Sequence, residues 1–384
     1  MITRDIAYIG VDDTDLDLFE SQYIIPNGIS YNSYLIKDEK IAIMDTADNR
    51  KIDEWLGNLR TALDGRTPDY LVVQHMEPDH AGCIAEILEE YPAIKIVASA
   101  RAIQMMPQFF EGKDFSQNTI AVKEGDTLSL GEHTLQFFMA PMVHWPEVMV
   151  TYDKKDKVVF SADGFGKFGA LSHEEDWACE ARRYYFNICG KYGGPVQALL
   201  KKLATLDVEC ICPLHGPILK ENLGYYIGLY DTWSKYDVET EGVFIAYASI
   251  HGGTAAVANV MAEILREKGA KKVSVADLNR DDMAEAIEDA FRMDKMIVAA
   301  ASYDGGVFPV MHDFLHHLQI KAYQKRRVGI IENGSWAPCA GRVMRGMLEQ
   351  MKDVEIAEPM VTILSRMKQS DRAALEALAD AILK

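Results

Sequence analysis

The chain has 384 residues, of which 48% are hydrophobic and 26% charged, a globular composition with room for two full cores. Its formal net charge of −18 argues against a nucleic-acid partner, because phosphate contacts need clustered Lys and Arg. No apolar run reaches membrane-spanning length, and Met1-Ile2-Thr3-Arg4-Asp5 lacks the apolar stretch of a secretory leader, so a soluble cytoplasmic protein with no membrane partner is expected.

Residues 6–11 read as a short strand, followed by an acidic stretch over 12–20. Residues 32–37 and 40–45 flank Asp38-Glu39, a two-residue connection that predicts a hairpin. Ile52, Trp55, Leu56 and Leu59 stand at helical spacing within 50–63. The apolar run Tyr70-Leu71-Val72-Val73 then leads into Gln74-His75-Met76-Glu77-Pro78-Asp79-His80-Ala81-Gly82. A helix through Ile84, Ile87 and Leu88 and a strand over 93–99 come next. Short β runs fill 119–161, with turns at Gly125-Asp126, Gly131-Glu132 and 153–156. Helices are expected over 176–188 and 195–206, and a strand over 208–212. This order predicts two sheets sandwiched between helices.

The polar segment 236–242 marks the junction, giving domains 1–240 and 241–384. Beyond it strands alternate with helices: strands over 243–247, 272–276, 296–300, 327–332 and 354–356, helices over 254–268, 281–291, 311–318 and 342–351. A terminal helix through Leu383 is expected to be capped by Ser370. Five β units with intervening helices predict a doubly wound parallel sheet. The six cysteines form no Cys-x-x-Cys pair, which argues against a rubredoxin-type or zinc-ribbon site within the chain. Cys210 and Cys212 alternate on an apolar strand and read as buried thiols of a reducing compartment.

His75 and Glu77 are two residues apart and point to one side of an extended segment. Asp79 and His80 follow Pro78, where a helix can begin. Alone, this is also what a polar loop with a capping residue looks like. Three distant residues change the balance. His144 lies just past the strand 134–139, Asp163 ends the strand 158–162 ahead of Gly164, and His215 follows 209–212 ahead of Gly216. Four segments repeat one order: strand, ligand, turn. Four His with three carboxylates suit iron in two oxidation states, with manganese or zinc as alternatives.

In the second half, Ala248-Ser249-Ile250-His251-Gly252-Gly253-Thr254 joins a strand to a helix and offers hydroxyls and backbone N–H groups to a phosphate. It lacks the Gly-Lys-Ser/Thr ending of a nucleoside-triphosphatase loop. Ser302-Tyr303-Asp304-Gly305-Gly306-Val307-Phe308 and Asn333-Gly334-Ser335-Trp336-Ala337, continuing to Ala340, follow later strands. Ligands of doubly wound sheets bind beyond such strand ends. An aromatic ring in each loop can stack on a flat ring system.

The residues up to His215 resemble the metallo-β-lactamase fold, an αββα sandwich with dinuclear sites at its strand ends. That superfamily carries His-x-His-x-Asp-His; here Glu77 replaces the second His. The region from Val243 onward resembles flavodoxin, a doubly wound α/β fold. Glu for His, together with the downstream domain, makes the chain similar to the flavodiiron proteins in a minimal form without fused rubredoxin. The resemblance implies that His75, Glu77 and His144 hold one iron, that Asp79, His80 and His215 hold the other, and that Asp163 bridges. It implies FMN, with Ser249, His251, Gly253 and Thr254 at its phosphate. Residues Ser302, Tyr303, Asp304, Gly305, Gly306, Val307, Phe308, Asn333, Gly334, Ser335, Trp336, Ala337 and Ala340 would contact the ring and ribityl chain, with Trp336 stacking. The implied activity is reduction of dioxygen to water, of nitric oxide to nitrous oxide, or both. An external donor is implied, rubredoxin first and a deazaflavin second. So is a head-to-tail homodimer, or a homotetramer of such pairs. Trp145 and residues 18–34 are expected walls of the substrate pocket. The competing reading is a dinuclear zinc hydrolase with an appended flavodoxin-like redox module, against which Glu77 stands.

Overall fold

Side chains alternating along short strands build the first of two units; the computed structural model describes residues 2–384. The first unit runs up to Tyr185 and includes Tyr192–Asp231, while the second takes Phe186–Lys191 and Thr232–Lys384. The division therefore falls before the segment 236–242, and the first strand of the second unit already starts at Thr240.

In the first unit, β1 (Ile6–Tyr8), β2 (Tyr34–Lys37), β3 (Ile41–Met44), β4 (Tyr70–Val73), β5 (Lys95–Ser99) and β6 (Thr119–Val122) lie side by side in that order. The hairpin at Asp38-Glu39 is present, with Lys37 opposite Ile41. A second sheet holds β7 (Thr127–Ser129), β8 (Thr134–Met139), β9 (Met149–Asp153), β10 (Val158–Phe160) and β11 (Cys210–Cys212). One core joins them: Tyr34, Ile36, Met44, Val72 and Val97 of the first sheet pack with Leu135, Phe137, Met149 and Phe160 of the second. The alternate residues Leu35, Ile43, Leu71 and Ile96 are also buried, on the opposite face. There helix Ile52–Leu63 buries Trp55, Leu56 and Leu59, and helix Ile84–Glu90 buries Ile84 and Ile87. Cys210 and Cys212 face this inter-sheet core as buried free thiols.

Two helices here were not expected. Ala100–Phe109 begins on the last residue of β5, where Ser99 Oγ accepts the Ala102 N–H. A strand that caps its own following helix leaves no loop residues to signal the change. Leu223–Ser234 spreads Tyr225, Tyr226, Tyr230 and Trp233 around its circumference, so no single polar face marks it.

The second unit is a parallel sheet. Its strands are β12 (Thr240–Ala248), β13 (Val273–Asp277), β14 (Met293–Tyr303) and β15 (Arg327–Asn333), arranged β13-β12-β14-β15. The fifth position is shared. The expected edge strand shortens to β16 (Glu355–Ile356), beside the start of β15, and an unforeseen β17 (Val361–Ile363) pairs with its end. On one face, helix Gly253–Glu267 sets Val257, Met261 and Leu265 against Ile245, Ile297 and Ile331. Leu375, Leu378 and Ile382 of helix Arg372–Leu383 complete that core. Ser370 does not cap this helix; it lies inside a 3-10 turn, Gln369–Asp371, that leads into it. Among the described residues no helix is long and apolar enough to cross a membrane.

Candidate metal centre and second-unit cavity

All seven expected ligands of the first unit meet at the strand ends of both sheets. From the first sheet, β4 leads to His75 and Glu77, and a one-turn helix, Pro78–Ala81, carries Asp79 and His80. That helix is held by Thr46, whose N–H and Oγ donate to the His80 carbonyl at 2.8 and 2.7 Å. From the second sheet come His144 after β8, Asp163 after β10 and His215 after β11. At Asp163 the chain turns through Gly164 as expected, with Ala162 before the ligand and Phe165 after it left-handed at φ 49° and 67°, a conformation that costs a non-glycine residue about 1 kcal/mol. At His215 the expected glycine is right: Gly216 has φ +78°, and a Cβ there would come within 2.7 Å of Lys167 Cγ.

The ligands divide into two groups. His75, Glu77, His144 and Asp163 form one, and Asp79, His80 and His215 the other. The Nε2 atoms of His75 and His144 are 3.3 Å apart, and those of His80 and His215 are 3.1 Å apart. Two ligands about 2.1 Å from one metal ion stand at about this separation. Glu77 Oε2 is 3.1 and 3.0 Å from the first pair. Asp79 Oδ2 is 3.3 Å from both nitrogens of the second. Asp163 lies between them. Its Oδ2 faces His75 and His144 at 3.3 and 3.0 Å, and its Oδ1 faces His80 and His215 at 3.1 and 3.9 Å.

The Glu77 contacts fall within hydrogen-bond distance, but those of Asp79 and Asp163 are not hydrogen bonds. Asp79 and Asp163 are buried, and all four of their carboxylate oxygens lack a hydrogen-bond partner. Buried anions without donors are costly unless cations meet them. A donor set of four imidazoles and three carboxylates fits two divalent metal ions, hard enough for iron and with no thiolate to favour a softer one.

Two supports escaped the sequence reading. The buried Glu147 accepts His75 Nδ1–H at 2.8 Å and the Met76 N–H at 2.9 Å, which turns His75 Nε2 inward. Its only signal was its place three residues after His144. His215 Nδ1 donates to the Ser30 carbonyl at 2.7 Å. Asn32 Nδ2 donates to the carbonyls of Pro213 and Gly216, both at 2.8 Å, and so pins that turn. Trp145 stands edge-on to His75 with centroids 5.2 Å apart, and Phe19 edge-on to His215 at 5.4 Å. Both expected walls are therefore against the centre. A further group, His133, Asp153 and Asp156, closes on itself: His133 Nδ1 and the Asp156 N–H both donate to Asp153 Oδ2.

Without metal, the centre stores protons. Burial opposes charge on His75, but Asp163, Glu147 and Glu77 outweigh it and hold the imidazolium well above the usual range. Burial likewise works against His144, yet Asp163 and Glu77 raise it to about 9. Burial would raise Glu77 and Asp163, but the surrounding imidazoles pull both below the ordinary carboxylate range.

In the second unit a cavity of about 590 Å³ opens beyond the strand ends, a small-molecule size. Ser249, His251, Gly253, Thr254, Ser302, Tyr303, Asp304, Gly305, Asn333, Gly334, Ser335, Trp336 and Ala337 line it. Helix Gly253–Glu267 starts there from Gly252, at φ +81°, with no side-chain cap, and the buried Ser249 Oγ has no partner. Both leave donors for an anion. Asp304 and Gly305, both left-handed, make the tight turn that presents Tyr303. Gly306, Val307, Phe308 and Ala340 do not line the cavity. Val307 is buried, and the Ala340 N–H is spent on Ser302 Oγ at 3.0 Å. Trp336 is 93% exposed at the rim. Ser365 and Arg366, after β17, also line the cavity and were not foreseen, because that strand was not.

Removing the Glu147 carboxylate should free His75 to rotate. Glu147→Ala is expected to weaken iron binding about 10- to 100-fold, and Glu147→Gln less, as measured by chelator competition. The metal-stripped protein carries a pH signature. A raised histidine stabilises the fold fully below about 6.5 and loses that contribution as pH climbs through about 9. The Tm of stripped protein should therefore fall across that window while that of iron-loaded protein stays flat, as read by scanning calorimetry.

Comparison with known proteins agrees with this geometry. Residues 29–216 match the model of the ODP family beta lactamase. An uncharacterized protein of Methanocaldococcus jannaschii is 30% identical over 357 residues, covering 91% of this chain and 89% of its own. The anaerobic nitric oxide reductase flavorubredoxin of Escherichia coli is 28% identical over 349 residues, covering 88% and 72%. Against the putative diflavin flavoprotein of Synechocystis the chain spans 64% of the relative's length. Among solved structures, rubredoxin oxygen:oxidoreductase from Desulfovibrio gigas superposes with a TM-score of 0.93 at 27% identity, over 100% of this chain and 97% of that one. With the ligand set, the cavity and these relatives in agreement, the chain belongs to the flavodiiron protein family.

Proposed function

We propose that the protein reduces dioxygen to water, nitric oxide to nitrous oxide, or both, at a non-haem diiron centre in the first unit that receives electrons from FMN in the second. The observation that carries the reading is the pair of ligand groups joined by Asp163, whose two buried oxygens face opposite pairs of imidazoles without a hydrogen-bond donor. In this reading His75, Glu77 and His144 hold one iron, Asp79, His80 and His215 hold the other, and Asp163 bridges. Bound iron and FMN supply one- and two-electron chemistry, enough to join two nitric oxide molecules with two electrons and two protons, or to reduce dioxygen with four of each.

The chain's own residues prepare the site. Glu147 and the Ser30 carbonyl fix the rings of His75 and His215 with Nε2 inward. Trp145 and Phe19 cover the imidazoles with apolar rings, which favours small uncharged gases over ions. In the second unit the open end of helix Gly253–Glu267, with Ser249 and Thr254, would take the flavin phosphate, and Tyr303 and Trp336 would flank the ring. A rubredoxin-type protein is the proposed donor, in keeping with the names of the Desulfovibrio and Escherichia relatives.

The reading predicts two irons per chain in protein made with iron available, and anaerobically reduced protein that consumes dioxygen or nitric oxide on mixing. His144→Ala should lower that turnover by at least about 100-fold while FMN stays bound. Zinc without iron, and no gas consumption, would instead mark a hydrolase. For assembly we propose a head-to-tail homodimer in which one copy's flavin serves the other copy's irons. Mixing an iron-site variant with a flavin-site variant, each inactive alone, should then restore about a quarter to a half of the activity once subunits exchange; no recovery after demonstrated exchange overturns the arrangement.

A further inference from the structure

The second unit's cavity is lined by one permanent positive charge. Arg366 lines it, and a guanidinium keeps its charge at any working pH. Its guanidinium makes no ion pair or side-chain hydrogen bond with another described residue. Other arginines of this unit are engaged: Arg327 with Glu355, Arg345 with Glu358, and Arg372 with Glu376.

The preceding residue sets the position of Arg366. Ser365 is left-handed at φ 67°. Its N–H donates to Asn333 Oδ1 at 3.1 Å, its carbonyl accepts Asn333 Nδ2–H at 3.0 Å, and its hydroxyl is 2.8 Å from that of Ser335. Its carbonyl also presses on the start of helix Gly253–Glu267, where a Cβ on Gly253 would come within 2.5 Å of it. The segment after β17 is thus locked against the helix end that offers free N–H groups, and Arg366 is the next residue along. That helix end has hydroxyls, N–H groups and the His251 imidazole but no permanent cation of its own, in a chain of net charge −18. A phosphate dianion placed there lacks a counter-charge unless Arg366 supplies it, and a guanidinium can hold two phosphate oxygens at once.

We propose that Arg366 is the residue that selects the phosphorylated flavin: its guanidinium closes over the phosphate on helix Gly253–Glu267 and makes the cavity prefer FMN to riboflavin. The proposal rests on the flavin reading above. The test uses the full chain stripped of flavin, with Arg366→Gln and Arg366→Lys beside the unaltered protein, titrated with FMN and with riboflavin at low and high salt. Arg366→Gln should raise the Kd for FMN about 10-fold at low salt, leave the riboflavin Kd unchanged, and reduce the salt dependence of FMN binding. Arg366→Lys should recover part of the loss. Equal weakening for both flavins, no change for either, or a shifted flavin midpoint potential at unaltered FMN affinity would each overturn it. The last result would put the guanidinium on the ring. Unaltered protein that takes up neither flavin would sink the flavin reading itself, a result distinct from the other three.

Discussion

A carboxylate sealed away from water with no hydrogen-bond donor is the constraint on which the first unit depends. Asp163 and Asp79 are in that position, with all four oxygens unpartnered. Such groups persist only where positive charge meets them, from protonated imidazoles in the stripped protein or from bound metal ions. The sandwich is arranged to create that need: β4 of one sheet and β8, β10 and β11 of the other each lead into ligands that meet at one place. The left-handed Phe165 and Gly216 are found where the chain turns away just after delivering a ligand, and the left-handed Ala162 just before one. Packing between the sheets, not local preference, keeps those turns in place.

The second unit solves the opposite problem. In the proposed reading it takes up an anion, toward which it presents an uncapped helix end, two hydroxyls and a nearby guanidinium. The helix itself is fixed by Val257, Met261 and Leu265 on the sheet. Leaving its first N–H groups unsatisfied is therefore affordable without fraying. One unit gathers anions to attract cations, and the other gathers donors to attract an anion.

Much of this was readable in the chain itself, for definable reasons. The seven candidate ligands, which the structure brings together, could be picked out because each of their four segments follows an apolar run and precedes a turn, a pattern that survives without coordinates. His75 and Glu77 could be placed on one side from their spacing alone. Glu147 was not legible, because a carboxylate is recognised as a support only when the ring it holds has a position. Ser365 and Arg366 were hidden for a different reason. β17 is three residues long and takes its hydrogen bonds from β15, so its sequence carries little period of its own. Val307, Phe308 and Ala340 do not line the cavity. Adjacency in sequence grouped them with the cavity residues, whereas Val307 pairs with Ser302 and Ala340 opens a helix. The helix Ala100–Phe109 was missed because its cap is the end of a strand.

His80 and His215 are neighbours in space yet 135 positions apart in the chain. At ribosomal speeds of roughly 5–20 residues per second, several seconds to almost half a minute separate their synthesis. During that interval the first four ligands exist without the remaining three, on a nascent chain in a cell full of competing cations. A half-made site of His75, Glu77, Asp79 and His80 can bind whatever divalent ion is abundant, but it lacks the opposing sheet that sets the final geometry. The order of synthesis therefore favours metal insertion after the polypeptide has left the ribosome. Which metal the finished protein carries then depends on the ions available at that later moment as well as on the ligands.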